Sequence, residues 1–586
     1  MVSVGLLTVA VAVLARALLR GDWSLAYVAD YTSRDTPWPY RLSALWAGMA
    51  GSLLVWTWIL GLWAVAAAMW CQRRLPPLAA GVVAVLAAVI AVLAGLLVWA
   101  TPPFARLAIP AIDGAGLTPV LRHPAMLYHP LLLYAGQVGL AVPFALAVAA
   151  RARQVPGDGW LPAARAWMTA SLVLLGGAMV AGAHWAYVEL GWGGYWAWDP
   201  VENAALLPWL CGLAFLHVRR AGLAVATFGL ALAGAFLTRS GAAGSVHAFA
   251  EAATVGRVLA LALLAVAVGW LVLRRIRREP PPARARPARA WAAGVLGVLV
   301  AVIAIGTALP VAWRAVTGER LIVTGRYFAT VTWPFALAIL IGIGLTVRRR
   351  IWPALAGLPA AALAWWWLPE PTPLAVVVAG LGAAVVAHLV AERLARRSPG
   401  ALVAHIGAAV LLVAVGATAT GVQRDGVLGP DRTMTVRGYV LRLERIAAID
   451  GEGPGAAVNA TIALTRDGRR VGTLEPRALV SSNGQRVSVA GLRSTPLEDL
   501  SVTLRAVGPD GQEAVVHVAV TPLAMWVWWG GLLVLVGLAT ALLGVGRIRL
   551  ASLAPEEPVD GGGRDGGLGR PSLAPAARGP RSGRRA

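Results

Sequence analysis

Trp185, Tyr187, Trp192, Tyr195, Trp196 and Trp198 fall within fourteen residues, interleaved with Gly191, Gly193 and Gly194. An interfacial aromatic belt is satisfied by a ring or two at each span end, so this density asks for another explanation. Glycine lets a backbone approach a flat ligand closely, and aromatic faces supply a broad apolar platform. Together they suit a planar, largely apolar macrocycle better than a sugar or an ion. The end of the segment has a role that needs no ligand. Asp199, Pro200 and Glu202 occupy the N-cap, N1 and N3 places of a following helix, a variant capping box with proline where it is favoured. Asp199 reads as a cap that sets the platform at the start of that helix.

The elements that must hold this loop are membrane helices. The chain has 586 residues, 58% hydrophobic and 13% charged, against about a quarter charged in ordinary globular chains. Its apolar residues come in blocks of about 18 to 25, the length that crosses a bilayer core of roughly 30 Å. Fourteen spans are predicted, at 2–19, 42–69, 77–100, 126–150, 166–184, 201–218, 221–238, 255–273, 291–311, 331–347, 352–368, 374–391, 402–421 and 524–545, with room for a fifteenth. The span at 352–368 is the weakest, being short and interrupted by Pro359. The first lacks a charged leader and a small-residue cleavage site, and reads as a retained span.

The net charge of +23 rests on arginine alone, for the 51 basic residues include no lysine. They cluster in alternate loops: at Arg73 and Arg74, from Arg151 to Arg165, at Arg219 and Arg220, between 274 and 289, from Arg348 to Arg350 and from Arg393 to Arg397. By the positive-inside rule those loops, the N-terminus and the tail are cytoplasmic, and the arginine-free 185–200 loop faces outward. The expected location is a bacterial inner membrane, multi-pass, with the active face extracytoplasmic. The partner implied by this charge is membrane lipid; no nucleic acid is expected, since aromatic and basic residues do not interleave. Cys71 and Cys211 build no CxxC, zinc site or disulfide framework, and no CxxCH is present.

Residues 422–523 are polar and alternate, with Tyr439, Leu441 and Leu443 against Arg442 and Glu444. The fold class is an all-α polytopic membrane protein with a small extracytoplasmic β domain inserted before the last span. Its parts are a bundle at 1–421, the β domain at 422–523, the last helix at 524–545 and a disordered tail at 551–586.

Eight histidines divide by depth. His217 lies just before Arg219 at the inner end of the sixth span, and His405 near the start of the thirteenth, which enters from the cytoplasm. His129 opens the fourth span on the outside, and His247 lies in an outer loop. His388 shares the inner depth, while His123 and His184 share the outer side and remain alternatives. His517 is expected on the β-domain surface. Arg239, at the outer end of the seventh span, suits a carboxylate bidentately and is equally suited to snorkelling.

The 185–203 segment resembles the tryptophan-rich signature of the haem-handling proteins of cytochrome c maturation. Within that group the chain resembles the CcmF-type haem lyase family along nearly its full length. Supporting stretches are Trp23 to Val28, Leu127 to Tyr134, Thr238 to Gly241, Ser245 to Ala250, Ala404 to Gly407, and Trp526 to Trp528 after Pro522. Two departures show: Tyr195 stands where the family usually has tryptophan, and Gly48 to Ser52 lacks the expected His-Glu pair.

The resemblance implies a resident haem b ligated by His217 and His405, and a transient haem substrate ligated by His129 and His247. It makes Trp192, Tyr195, Trp196 and Trp198 the platform for that substrate, Asp199 its positioning cap and Arg239 a candidate propionate partner. A haem chaperone would present haem at the outer face, and the resident haem, with quinol as a further electron source, would keep it ferrous. Apocytochrome c would then add its CxxCH thiols across the vinyl groups, with other maturation subunits as partners. The chain offers no general acid or base; its share is orientation and redox control. Two rivals remain: a haem delivery protein of the same signature without lyase activity, and a quinol-oxidising cytochrome b, for which the platform has no use.

Overall fold

The computed structural model describes residues 1–155, 158–190, 194–243, 252–276, 286–345, 355–392, 399–449, 457–480 and 486–547. Trp192, His247 and the 551–586 tail lie outside them. Among the described residues, thirteen helices are long and apolar enough to cross a membrane. The chain is an integral membrane protein. The eleventh expected span, 352–368, begins in residues that lie outside those described; its described helix is Gly357–Trp367, of 11 residues. At 1.5 Å per residue it covers about 16 Å, roughly half of a bilayer core.

The fourth span is two helices in line, His129–Gly139 and Ala141–Ala152. Pro143 has no N–H to give to the Gly139 carbonyl, which breaks the ladder at that turn.

Close helix approach positions the inner histidines. A Cβ added at Gly407 would lie 2.5 Å from the Val534 backbone nitrogen, and one at Gly530 would lie 2.6 Å from that of Leu411. Helix Pro399–Thr418, which carries His405, therefore packs backbone to backbone on the last span, Ala524–Arg547. In lipid, where no hydrophobic effect drives helices together, such small-residue contact is what holds a pair.

Among the described residues, ten strands lie between the last two spans. One antiparallel sheet orders Val422–Leu428, Ala514–Pro522, Glu498–Val507 and Gly491–Ser494. The other orders Thr433–Val436, Tyr439–Ile449, Ala457–Arg466, Arg477–Val480 and Arg486–Val489, with Arg469–Leu474 beside Ala457–Arg466. Tyr439, Leu441, Ile462, Val502 and Val518 face inward as one core. His517 is corrected from the surface: it is 9% exposed, and its Nδ1 bonds Asp425 Oδ1 at 2.8 Å across the Val422–Leu428 pairing.

Two buried acids fasten this domain to the bundle. Tyr187, on helix Leu161–Glu189, donates to Asp499 Oδ2 at 3.2 Å. Glu498 accepts from Arg437 and Arg466, each at 2.8 Å, and Arg437 also donates to the Trp367 carbonyl at 2.7 Å. The β domain thus caps the end where Leu161–Glu189 finishes, and the aromatic loop runs beneath it.

Candidate functional site

Two cavities meet at that loop. The larger, of about 1460 Å³, exceeds the roughly 300–1,000 Å³ of ordinary small-molecule pockets. It follows helix Pro200–Val218 from Tyr195, Trp196 and Trp198 at the β-domain end to His217 at the other. Nineteen helical residues make that path roughly 28 Å long. The smaller, of about 220 Å³, is lined by His129, Trp46, Trp56, Trp185, Trp196 and Arg239, among others. Trp196 lines both.

His217 and His405 face each other in the larger cavity with ring centroids 6.5 Å apart and planes at 88°. Each Nδ1 donates to a carbonyl one turn back, His217 to Leu213 at 2.8 Å and His405 to Ala401 at 2.5 Å. A carbonyl can only accept, so each Nδ1 carries a proton, and Nε2 is the ring nitrogen that would meet a metal. Two imidazoles bound to one metal through bonds of about 2.0 Å hold their ring centres about 6 Å apart. The pair therefore fits one iron, and the apolar cavity fits a flat macrocycle around it. His388 bonds Ala384 O at 2.8 Å and is not among the cavity-lining residues.

On the outer side, His129 opens its helix and bonds Ala178 O through Nδ1 at 2.9 Å. Its ring lies over Gly182, where an added Cβ would come within 2.5 Å of His129 Cε1. The two rivals have other tasks. His123 caps a short turn by accepting from Ala125 N–H at 3.1 Å and faces Glu189 at 3.7 Å; burial holds it below the usual imidazole range. His184 packs edge-on against Trp528, ring centroids 5.2 Å apart. Neither lines the pocket that holds His129.

Arg239 does not snorkel. It is 6% exposed, donates to Ser52 Oγ at 2.9 Å and Met49 Sδ at 3.2 Å, and lies 4.4 Å over the Trp56 ring. Its Nε is buried without a hydrogen-bond partner, and no carboxylate among the described residues pairs with it. The motif that lacks a His-Glu pair thus stands against this cation. A buried, unneutralised guanidinium beside a pocket is suited to a ligand carboxylate.

The loop itself is built as a hinge of fixed rings. Asp199 accepts from Val201 N–H at 2.8 Å while Glu202 accepts from Asp199 and Ala197 N–H at 3.1 and 2.9 Å, completing the capping box. Trp198 has φ 58° and stacks on Phe328 at 5.3 Å. Tyr195 shares a hydrogen bond with Thr418 Oγ1 at 2.9 Å, and burial pushes its phenol up to about 12, so it stays protonated. Trp528 closes on Tyr195 at 5.8 Å. At about 220 Å³ the outer pocket has room for an edge of a macrocycle and not for the whole of one. Sequence reasoning missed Trp46, Trp56, Ser52 and Tyr134 in this pocket; the Gly48–Ser52 motif was the available signal for Ser52.

The fold and this geometry define a polytopic membrane protein with aromatic-walled, histidine-bearing cavities on either side of one loop. A family described as "Cytochrome C assembly protein" matches residues 46–242, the stretch that carries His129, the loop, His217 and Arg239. Cytochrome c-type biogenesis protein CcmF of Pseudomonas aeruginosa is 32% identical, covering 90% of this chain and 88% of its own. CcmF of Escherichia coli is 31% identical with 90% and 88% covered. The solved structure of "Cytochrome c Heme Lyase CcmF" matches with a TM-score of 0.73 at 28% identity, covering 91% of this chain and 89% of its own. The chain belongs to the CcmF family of cytochrome c-type biogenesis proteins.

Proposed function

We propose that this chain is a haem lyase of the extracytoplasmic face of a bacterial inner membrane. It holds a resident haem b between His217 and His405, takes a second haem as substrate beside His129, and directs that substrate's vinyl groups to the thiols of an apocytochrome c. The observation that carries the reading is the 6.5 Å separation of the two inner imidazoles inside an apolar cavity of about 1460 Å³, in a chain of this family.

The resident haem, when bound, supplies one-electron reduction of the substrate iron, with quinol as the electron source. His217 and His405 would hold that haem through their Nε2 atoms. His129, with His247, ligates the substrate iron. Trp196 and its neighbouring rings hold the macrocycle by stacking, which leaves no covalent bond to break on release. Arg239 takes a propionate. The CxxCH thiols then add, each sulfur joining one vinyl carbon and each proton the other, so atoms balance without a leaving group. A haem chaperone delivers the substrate, and further maturation subunits assemble around the chain.

The test is haem-stained cytochrome c yield in cells that depend on this chain, read beside the optical spectrum of the purified protein. Loss of yield with the bound-haem spectrum retained is expected for His129→Ala. A normal yield in the His129→Ala/His247→Ala double variant would overturn the substrate site.

A further inference from the structure

Arg286 lines the larger cavity at the end farthest from the β domain, and three further arginines join it there. Arg165 lies near the start of helix Leu161–Glu189, Arg219 ends helix Pro200–Val218, and Arg289 lies in the first turn of helix Pro287–Thr317. Each acts electrostatically on the others, and Arg165 and Arg289 act on His217. No carboxylate among the described residues pairs with any of them; Asp158 reaches Arg219 only through its field. Arg219 adopts φ 50° and ψ 51°, a left-handed backbone that a side chain other than glycine rarely takes. Its Nε is buried without a hydrogen-bond partner.

Snorkelling accounts for an arginine at a helix end. It does not account for four that line one cavity, nor for a buried, unpaired Nε. Arg165 and Arg219 are half-buried and Arg289 is exposed, so water solvates part of this charge, and an anion seated among the guanidinium groups would gain charge-assisted hydrogen bonds. The anion must lie within reach of the His217 ring, and it must suit planar, bidentate donors.

We propose that Arg165, Arg219 and Arg289 form a carboxylate-binding cluster that takes the two propionates of the haem held between His217 and His405. This rests on the resident-haem reading above. The propionates leave one edge of the macrocycle, so the cluster also sets its direction: the charged edge points away from the β domain, and the apolar edge points along the cavity toward Trp198. Positive charge beside the propionates favours the reduced iron, which carries one charge fewer.

The experiment uses the full chain in detergent, stripped of haem and reloaded with haem or with haem dimethyl ester, whose propionates cannot ionise. The wild type is expected to bind haem about 10-fold more tightly than the ester, the worth of a charge-assisted hydrogen bond or more. R165Q/R219Q/R289Q is expected to bind the two nearly alike, to keep a six-coordinate spectrum, and to show a lowered midpoint potential. R219Q and R289Q alone should fall between, which guards against misfolding of the triple variant. Undiminished preference for haem over the ester in these variants overturns the proposal, as does loss of co-purified anionic phospholipid with the preference intact. If the wild type shows no haem spectrum that depends on His217 and His405, the resident-haem reading itself fails, a separate result.

Discussion

His217 and His405, 188 positions apart in sequence, bring their rings to 6.5 Å and nearly perpendicular planes. Each is locked by its own helix through Nδ1. Substituting either by alanine should lower retained haem by at least about 10-fold, the scale on which metal sites respond to their supporting shell. Haem per protein after purification is the measurement. His388→Ala should retain wild-type haem; the reverse pattern would assign the ligand to His388.

Arg239→Gln removes a buried cation that meets Ser52, Met49 and Trp56. Haem attachment to a CxxCH reporter should fall severalfold, while the spectrum of the resident haem is unchanged. Arg239→Lys should rescue little, because an ammonium cannot reproduce the planar fork. Full rescue by lysine would argue for a charge role without geometry.

Gly407→Val should force the last span away from the helix that carries His405, since even a Cβ there meets the Val534 backbone at 2.5 Å. Overpacking of this kind costs about 1–3 kcal/mol. A lowered melting temperature together with reduced haem content is expected. Normal values for both would show that this contact does not position His405.

Docking of the β domain should depend on pH. Burial raises the Asp499 carboxyl above its usual range, although Ser494 and Tyr187 hydrogen bonds oppose the shift. The folded state therefore binds this proton more tightly than the unfolded chain. The resulting stability is full below an unfolded pKa of about 4 and is lost as pH rises through the folded value. Asp499→Asn, which cannot ionise, should flatten that part of the melting profile. An unchanged pH slope in the variant would mean that another group governs docking.

Much of this architecture was legible because its causes are local. Span length, the β alternation and the Asp199–Pro200–Glu202 cap each follow from residues within a few positions of one another. What was not legible involves distant partners. Arg239 stayed open between an interfacial and a carboxylate-binding reading because Ser52, 187 positions away, supplies the bond that keeps it inside. His517 looked like a surface residue because Asp425, 92 positions away, gives it a reason to be buried. The sharing of Trp196 between the two cavities was invisible for the same reason. It arises from the packing of separate helices, and no hydropathy pattern records it.

Trp196 belongs to both cavities, and a guest that displaces it on one side would link their occupancies thermodynamically. Whatever factor a guest on one side imposes on affinity at the other must be returned in full. An indole shifted to admit the substrate would loosen or tighten the resident haem by the factor that the resident haem imposes on substrate uptake. Binding on the outer side would then read out as a change in the affinity for the haem proposed at the inner site, without following any product.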